Sequence, residues 1–425
     1  MSASLFTTVF VVALLASLGV RFWLAARQVA HVRAHRDATP APFADRVDTT
    51  SHRKAADYTV AKQRLGMLET AADAVVLVAI TLGGGLAWLF SATEALPLPA
   101  ILRDLALLIG IALIGGVIGL PFSWWRTFRI EERFGFNRTT MAVWVGDLAK
   151  GIAVGAVLGL PLASLVLWLM RGAGSWWWLY AWLAWMAFQL LVLVLYPTVI
   201  APLFNRFSPL PAGDARERVE NLLARCGFRA SGLFVMDGSK RSGHGNAYFT
   251  GFGRAKRVVF FDTLLARLAP DEIEAVLAHE LGHFRRRHVI KRIVWSALLS
   301  LALLGLLAWL AQASWFYAGL GIPERDVAAA MARPGVALAL FMLALPVFTF
   351  ALAPLSAAYS RRHEFEADQF AAEHASALAL VAALIKLYED NAATLTPDPL
   401  HSAFYDSHPP AVLRVARLQA LATGA

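Results

Sequence analysis

Long uninterrupted apolar stretches are the feature that most restricts how this chain can fold. Seven of them contain few charges, and each has about the 20 residues that a helix needs to cross the hydrocarbon core of a bilayer. They lie at residues 5–26, 71–91, 105–125, 151–170, 176–196, 293–312 and 336–359. Hydrophobic residues make up 58% of the chain and charged residues only 16%, which is typical of membrane proteins. The sequence therefore predicts a mainly α-helical, polytopic membrane protein with seven transmembrane helices.

Arginine and lysine are concentrated in the loops that follow the first and third predicted spans, whereas the alternate loops carry few. Positive residues are retained on the cytoplasmic side, so this asymmetry predicts an outside N-terminus, with residues 197–292 and 360–425 in the cytoplasm. It also accounts for the net charge of +9, so we expect membrane lipid and no nucleic acid as a partner. The excess of Arg over Lys favours a bacterial genome, and hence a bacterial inner membrane.

Four segments follow from this topology. They are residues 1–196 with the first five spans, residues 197–292 as a cytoplasmic segment, residues 293–359 with the last two spans, and residues 360–425 as a cytoplasmic C-terminal segment. The basic run at 285–292, which includes His288, is expected to anchor the chain at the lipid headgroups.

A glutamate flanked by two histidines lies in the cytoplasmic segment, where His279, Glu280 and His283 form the H-E-x-x-H pattern. Residues four apart share one face of a helix, so both imidazoles could bind one zinc ion while Glu280 faces its open position. Pro270 and the acidic residues after it suit the start of such a helix. The less favoured alternative is a charged helix whose histidines only face water.

A third metal ligand is expected, because catalytic zinc usually has three protein ligands and one open position. A histidine six residues after His283 would fall on Val289, and a glutamate twenty residues after it would fall on Leu303, so neither familiar spacing is present. The acidic residues at 324 and 326 are predicted to lie on the opposite side of the membrane.

The remaining acidic residues follow the last span. Glu364 and Asp368 are four apart and share a helical face, so one could bind zinc while the other orients a ligand histidine. Glu366 is expected to point elsewhere. The alternative for this stretch is a run of solvated charges at the end of a span.

Two further features are candidates for substrate contact. His408 precedes two prolines and Arg414 follows six residues later, so this pair could stabilise charge developing on a carbonyl oxygen. Residues 214–226 predict an amphipathic helix, and residues 232–236 a short strand. Residues 246–252 and 257–261 predict a hairpin joined through 253–256. A small sheet beside a metal helix would offer a peptide an edge to pair with.

These motifs together resemble the CAAX prenyl protease 1 family of integral-membrane zinc metallopeptidases. Beyond the zinc motif, the resembling stretches are residues 131–137, 196–204, 238–249, 261–265, 360–368 and 407–410, and the likeness covers about 55–420. The resemblance implies seven helices around a water-filled chamber, with a zinc site near the cytoplasmic face.

The resemblance also implies roles for individual residues. One zinc ion would be bound by His279, His283 and Glu364, with Glu280 as the general base and Asp368 behind the ligands. His408 and Arg414 would contact the reacting peptide, and Asn246 and Ala247 would lie on the strand that pairs with it. The implied activity is hydrolysis of peptide bonds, in which Glu280 takes a proton from a zinc-activated water and passes it to the leaving amine.

Two alternative functions stay open from the sequence. One is a membrane quality-control metalloprotease of broader specificity, and the other is a non-catalytic seven-helix channel or lipid-handling protein. Eukaryotic members of the family cleave prenylated peptides, but a bacterial origin argues against the same substrate here.

Overall fold

Long apolar helices form one part of the protein, and shorter helices with a small sheet form the other. The computed structural model describes residues 1–228, 231–250 and 257–423. The α-helices in this part of the chain are α1 (Ala3–Ala34), α2 (Thr49–Ile80), α3 (Gly85–Glu94), α4 (Ala100–Trp125), α5 (Met141–Gly172), α6 (Trp177–Leu195), α7 (Ala201–Phe204), α8 (Asp214–Arg225), α9 (Asp262–Leu265), α10 (Pro270–Arg285), α11 (His288–Leu310), α12 (Ser314–Gly319), α13 (Glu324–Met331), α14 (Pro334–Thr349), α15 (Ala353–His374), α16 (Ala377–Asp390), α17 (Pro399–Tyr405) and α18 (Ala411–Thr423). The strands are β1 (Phe207–Pro209), β2 (Gly232–Met236), β3 (Ala247–Thr250) and β4 (Arg257–Phe261).

Six continuous helical segments among the described residues are long and apolar enough to cross a membrane. They are Ala3–Ala34, Ala100–Glu131, Met141–Gly172, Gly174–Phe204, His288–Leu310 and Pro334–His374. A seventh candidate is the pair α2 and α3, which is bent by 53°. The mainly helical, seven-span prediction is therefore confirmed, but the second predicted span is a broken helix.

The break between α2 and α3 has a local cause in three consecutive glycines. Gly84 adopts a left-handed backbone conformation with φ of 79°, which residues that have a Cβ atom rarely adopt. A Cβ on Gly83 or on Gly85 would lie 2.8 Å from the carbonyl oxygen of Ala79. The chain can therefore turn sharply here, where the sequence pattern alone indicated an apolar stretch.

The membrane-type helices bury little of their surface against one another. Only 6% of the most apolar window of α5 is buried, and the figure is 11% for the segment that contains α4. Helices in a solid bundle would bury a continuous face on their neighbours. Much of this surface therefore faces either lipid or an inner space.

A buried ion network holds the end of the bundle where α14 begins. Asp104 is fully buried and accepts hydrogen bonds from Arg333 and Arg171. Arg333 also pairs with Glu94. These contacts connect α3, α4, α5 and the start of α14, at the opposite end of the α14–α15 segment from Glu364.

The last predicted span belongs to a helical segment, Pro334–His374, that is interrupted only briefly. A short 3₁₀ turn at Phe350–Leu352 separates α14 from α15, and α15 then runs on to His374. The predicted boundary at residues 359 and 360 therefore lies inside α15, so one helix joins the membrane part to the acidic residues of the tail.

The sheet has the strand order β1-β2-β4-β3. β3 and β4 are antiparallel, as the predicted hairpin requires, although residues 251–256 of that hairpin lie outside the described residues. β2 and β4 pair in parallel, and β1 pairs with β2, neither of which the sequence predicted. β3 is thus an edge strand of the described sheet.

A hydrophobic core lies around α10. It combines residues of α8, the sheet, α10, α15, α16 and α18. Ile273, Leu277 and Leu281 of α10 are buried in it, as their helical spacing predicted. α10 is therefore held on several sides, and the side chains on its remaining face have fixed positions.

Candidate active site

The two histidines of α10 face the same point. Their helix begins at Pro270, and the Glu272 carboxylate accepts a hydrogen bond from the Ala269 backbone N–H at 2.8 Å, which caps the first turn. His279 and His283 lie one turn apart, and their Nε2 atoms are 3.2 Å from each other.

Glu364 of α15 completes a group of three donor side chains. One carboxylate oxygen, Oε2, lies 3.5 Å from Nε2 of His279, and Oε1 lies 3.2 Å from Nε2 of His283. Donor atoms in a tetrahedral zinc site, about 2.0–2.1 Å from the ion, are separated by about 3.3 Å. The two nitrogens and the Glu364 carboxylate, which turns a different oxygen to each imidazole, thus lie at separations close to those of a zinc site, and they are donors of the types that zinc prefers.

Asp368 and Arg414 lie behind His279. Nδ1 of His279 is 2.8 Å from Oδ1 of Asp368, and the Arg414 guanidinium donates to both oxygens of that carboxylate at 2.7 Å. Burial and the charge of Arg414 lower the pKa of His279, but hydrogen bonds to Asp368 and Glu364 outweigh both and raise it to about 9. The surrounding carboxylates thus stabilise positive charge at this point, which favours a cation.

His408 approaches the site from the loop between α17 and α18. Its Nδ1 lies 2.7 Å from Oε2 of Glu364, while its side chain is 66% exposed. Arg361 holds this loop in place, because its guanidinium donates to the backbone carbonyls of Ser402 and Asp406 at 3.2 and 2.7 Å. These carbonyls end α17, so the arginine stabilises that end of the helix.

A cavity of about 590 Å³ adjoins the metal-site side chains and is lined by six of the predicted residues. Its lining includes Asn246, Ala247, His279, Glu280, His408 and Arg414. Glu280 follows His279 directly and is partly exposed in this cavity. The structure therefore brings together every residue that the sequence assigned to the site.

The edge strand β3 has backbone groups beside the cavity that point away from β4. The N–H of Phe261 donates to the carbonyl of Asn246 at 2.9 Å, so residue 246 belongs to a hydrogen-bonded pair. Such pairs alternate along antiparallel strands, so the N–H and carbonyl of Ala247 point away from β4. Oδ1 of Asn246 accepts from that N–H at 2.8 Å.

His288 and Glu366 were not expected at this site. His288 is only 2% exposed and contacts His283, so the interpretation of this residue as part of a lipid anchor is wrong. Glu366 points away from the three donor side chains, as expected, but it contacts His288 at 3.0 Å. The only signal in the sequence was a histidine five residues after His283.

Models of two protein families match adjoining parts of the chain. The one described as CAAX prenyl protease N-terminal, five membrane helices, matches residues 28–206, and the one described as peptidase family M48 matches residues 209–422. The chain belongs to peptidase family M48. Together the two matches cover both the apolar helices and the site around α10.

Proteins named CAAX prenyl protease 1, or its homologue, resemble the chain over most of their length. The Oryza sativa protein is 33% identical over 400 residues, which are 91% of this chain and 92% of that protein. The Homo sapiens protein is also 33% identical, over 76% of this chain and 74% of its own. The crystal structure of S. mikatae Ste24p has a TM-score of 0.88 at 28% identity, and the alignment covers 97% of this chain and 99% of that one.

Family membership and structural likeness confirm the predicted fold and class. The protein is an integral-membrane metalloendopeptidase of the CAAX prenyl protease 1 type. The alternative of a non-catalytic channel or lipid-handling protein is rejected. The substrates of such an enzyme are peptides or proteins.

Proposed function

We propose that the protein hydrolyses peptide bonds with one zinc ion held by His279, His283 and Glu364. The observation that carries this proposal is the convergence of the three side chains. The two Nε2 atoms are 3.2 Å apart, and Oε2 and Oε1 of Glu364 lie 3.5 and 3.2 Å from Nε2 of His279 and of His283 respectively. Zinc bound there would supply a water with a pKa of about 7 and would polarise the peptide carbonyl. Asp368 keeps His279 in the tautomer whose Nε2 is free to bind the ion.

Glu280 is the proposed general base. It follows His279 on α10, so its side chain is turned about 100° from that ligand, and it faces the cavity beside the site. In this position the carboxylate takes a proton from the attacking water and gives it to the leaving amine. A positioned acid–base group contributes about 10²–10⁴-fold to the rate of such a reaction.

His408 and Arg414 have different proposed roles in the reaction. His408 is exposed next to Glu364, so it can donate a hydrogen bond to the carbonyl oxygen on which charge develops. Arg414 uses Nε and Nη2 on Asp368, and its Nη1 lies 3.7 Å from Oε2 of Glu364. The predicted contact with the peptide would be made by Nη1. The main role of Arg414 is therefore to hold the carboxylate behind His279.

The substrate is proposed to bind as an extra strand on β3. The outward N–H and carbonyl of Ala247 are the groups that a peptide backbone can pair with. Asn246 now occupies that N–H with its own side chain, so it must turn away and becomes free to contact the peptide. The strand leads the peptide through the cavity that Glu280 lines.

The proposed location is the inner membrane of a bacterium, with the N-terminus outside and the active site and C-terminus in the cytoplasm. The concentration of Arg and Lys in alternate loops supports this orientation.

Purified protein in detergent micelles tests the catalytic assignment. The parent should contain one zinc per chain by elemental analysis and should lose peptide cleavage when a chelator removes it. Glu280→Gln should keep its zinc and its thermal stability while cleavage falls by about 10²–10⁴-fold. His279→Ala should lose the metal.

Full cleavage activity in Glu280→Ala would reject the general-base role. Stoichiometric zinc in His279→Ala would reject the ligand set. Two peptides of one sequence, with and without a prenyl group, are then compared as substrates of the same protein. A difference between their cleavage rates would show that the enzyme recognises the lipid.

A further inference from the structure

The nitrogen of His283 that faces away from the proposed metal site has a buried partner. Nε2 of His283 is directed at Glu364 and His279, so a neutral ligand imidazole carries its proton on Nδ1. That Nδ1 lies 3.0 Å from Nδ1 of His288, whose side chain is 2% exposed.

The direction of this hydrogen bond follows from chemistry. Of two facing imidazole nitrogens, one must donate and the other must accept. Since His283 donates, Nδ1 of His288 accepts, and the proton of neutral His288 is on Nε2. That nitrogen lies 3.0 Å from Oε2 of Glu366, which can only accept when it is ionised. Hydrogen bonds thus run from His283 through His288 to Glu366.

We propose that His288 is a positioning residue that holds His283 in its metal-binding orientation, with Glu366 fixing the tautomer of His288. The inference rests on the proposed zinc site. In this arrangement each ligand histidine is oriented by a different carboxylate. Asp368 contacts His279 directly at 2.8 Å, whereas Glu366 acts on His283 through one intervening imidazole.

His288 reaches this position because the chain changes direction between α10 and α11. On a continuous helix, residues five apart are turned about 140° from each other and do not meet. Here α10 ends at Arg285, and Arg287 adopts a left-handed conformation with φ of 57° before α11 begins. The new helix direction returns His288 to the ring of His283.

Other contacts keep His288 and Glu366, which together form the hydrogen-bond relay to His283, in place. The ring of His363 stacks on His288, with 3.9 Å between centroids and 10° between planes. Glu366 pairs with Arg362 at 3.3 Å and with Lys291 at 3.8 Å, so its carboxylate is stabilised in the charged form.

Two substitutions separate the hydrogen bond from the packing of the ring. His288→Phe keeps a ring for His363 to stack on but has no acceptor. His288→Asn loses the ring, but its Oδ1 can occupy the place of Nδ1 and accept from His283. His374→Phe is the matched control, because His374 lies on α15, is exposed, and stacks on Phe370 away from the site.

The zinc dissociation constant of each full-length variant is measured by competition with a chelating dye, without substrate. We expect His288→Phe to bind zinc about 10–100-fold more weakly than the parent, and His288→Asn to stay within about threefold. His374→Phe should match the parent. Thermal melting of the zinc-free proteins should show that all variants are folded.

Parent-like affinity in His288→Phe would overturn the proposal. Equal losses in the Phe and Asn variants would also overturn it, because packing alone would then explain both. If the parent itself bound no zinc, the proposed metal site would fail, and that result is distinct from either outcome for the relay.

Discussion

A Cβ atom on Gly282 would lie 2.9 Å from Cα of Ala367 and 3.0 Å from its carbonyl oxygen. Gly282 precedes His283 on α10, and Ala367 follows Glu364 by three residues on α15. The two helix backbones therefore touch at the level of the site. This contact sets the distance between the imidazoles and the carboxylate that face each other.

Gly282→Ala should push α15 away from α10 and weaken zinc binding. Overpacking of this kind costs about 1–3 kcal/mol of stability. We expect a lower melting temperature and less zinc retained after dialysis, measured by elemental analysis.

Gly66→Ala is the control for this change, because a Cβ at Gly66 of α2 meets nothing within 4 Å. Alanine is favoured over glycine in helices by about 1 kcal/mol, so this variant should be at least as stable as the parent. An unchanged melting temperature and zinc content in Gly282→Ala would contradict the role given to the close contact.

The buried pair of Asp368 and Arg414 should be strongly coupled. Asp368 is 1% exposed, and its charge is compensated by a guanidinium that binds both of its oxygens. Arg414→Met leaves this carboxylate without its cation, which costs about 3–5 kcal/mol at a buried position. The measurement is the free energy of unfolding of the detergent-solubilised protein.

The double variant Asp368→Asn with Arg414→Met removes both charges together. It should lose less stability than the sum of the two single variants, because no unpaired charge is left in the interior. Strictly additive losses would show that the two residues do not act as a pair.

Local patterns in the sequence were enough to predict most of the candidate site. His279, Glu280 and His283 are fixed by spacing along one helix, which needs no knowledge of the fold. Glu364 and Asp368 were predicted because they share a face of a second helix. Which of them faces the histidines depends on how α10 packs on α15, and only the family resemblance indicated that.

Features that depend on changes of chain direction could not be predicted in the same way. The position of His288 depends on a left-handed residue, Arg287, that is not a glycine. The parallel pairing of β2 with β4 joins segments that are distant in sequence. The bend after α2 lies inside a stretch whose hydropathy is that of one uninterrupted span. Composition and spacing contain no signal for the first two. For the bend the signal is the run of three glycines at 83–85, which a hydropathy pattern does not register.

The outward N–H of Ala247 should contribute to substrate binding. Ala247→Pro removes this N–H, and proline is tolerated on an edge strand where the N–H does not belong to the ladder. We expect KM to rise about five- to tenfold, the effect of losing one hydrogen bond, with little change in kcat or zinc content.

Tyr248→Pro provides the contrast, since the N–H of residue 248 points towards β4. This variant should lose stability instead, measured as a lower melting temperature. If Ala247→Pro left KM unchanged for several peptides, the substrate strand would have to bind elsewhere in the cavity.

The proposed orientation can be tested by labelling with a membrane-impermeant maleimide. Cys226 is the only cysteine, so Cys226→Ser gives a background free of thiols. In this background Arg325→Cys, at a side chain that is 85% exposed before α14, should be labelled in intact spheroplasts. Asp45→Cys, in the exposed connection between α1 and α2, should be labelled only after the membrane is permeabilised.

The physical reason is that the first loop is rich in Arg and Lys, which are retained in the cytoplasm. Labelling of Asp45→Cys in intact spheroplasts, with Arg325→Cys protected, would invert the orientation and place the active site outside.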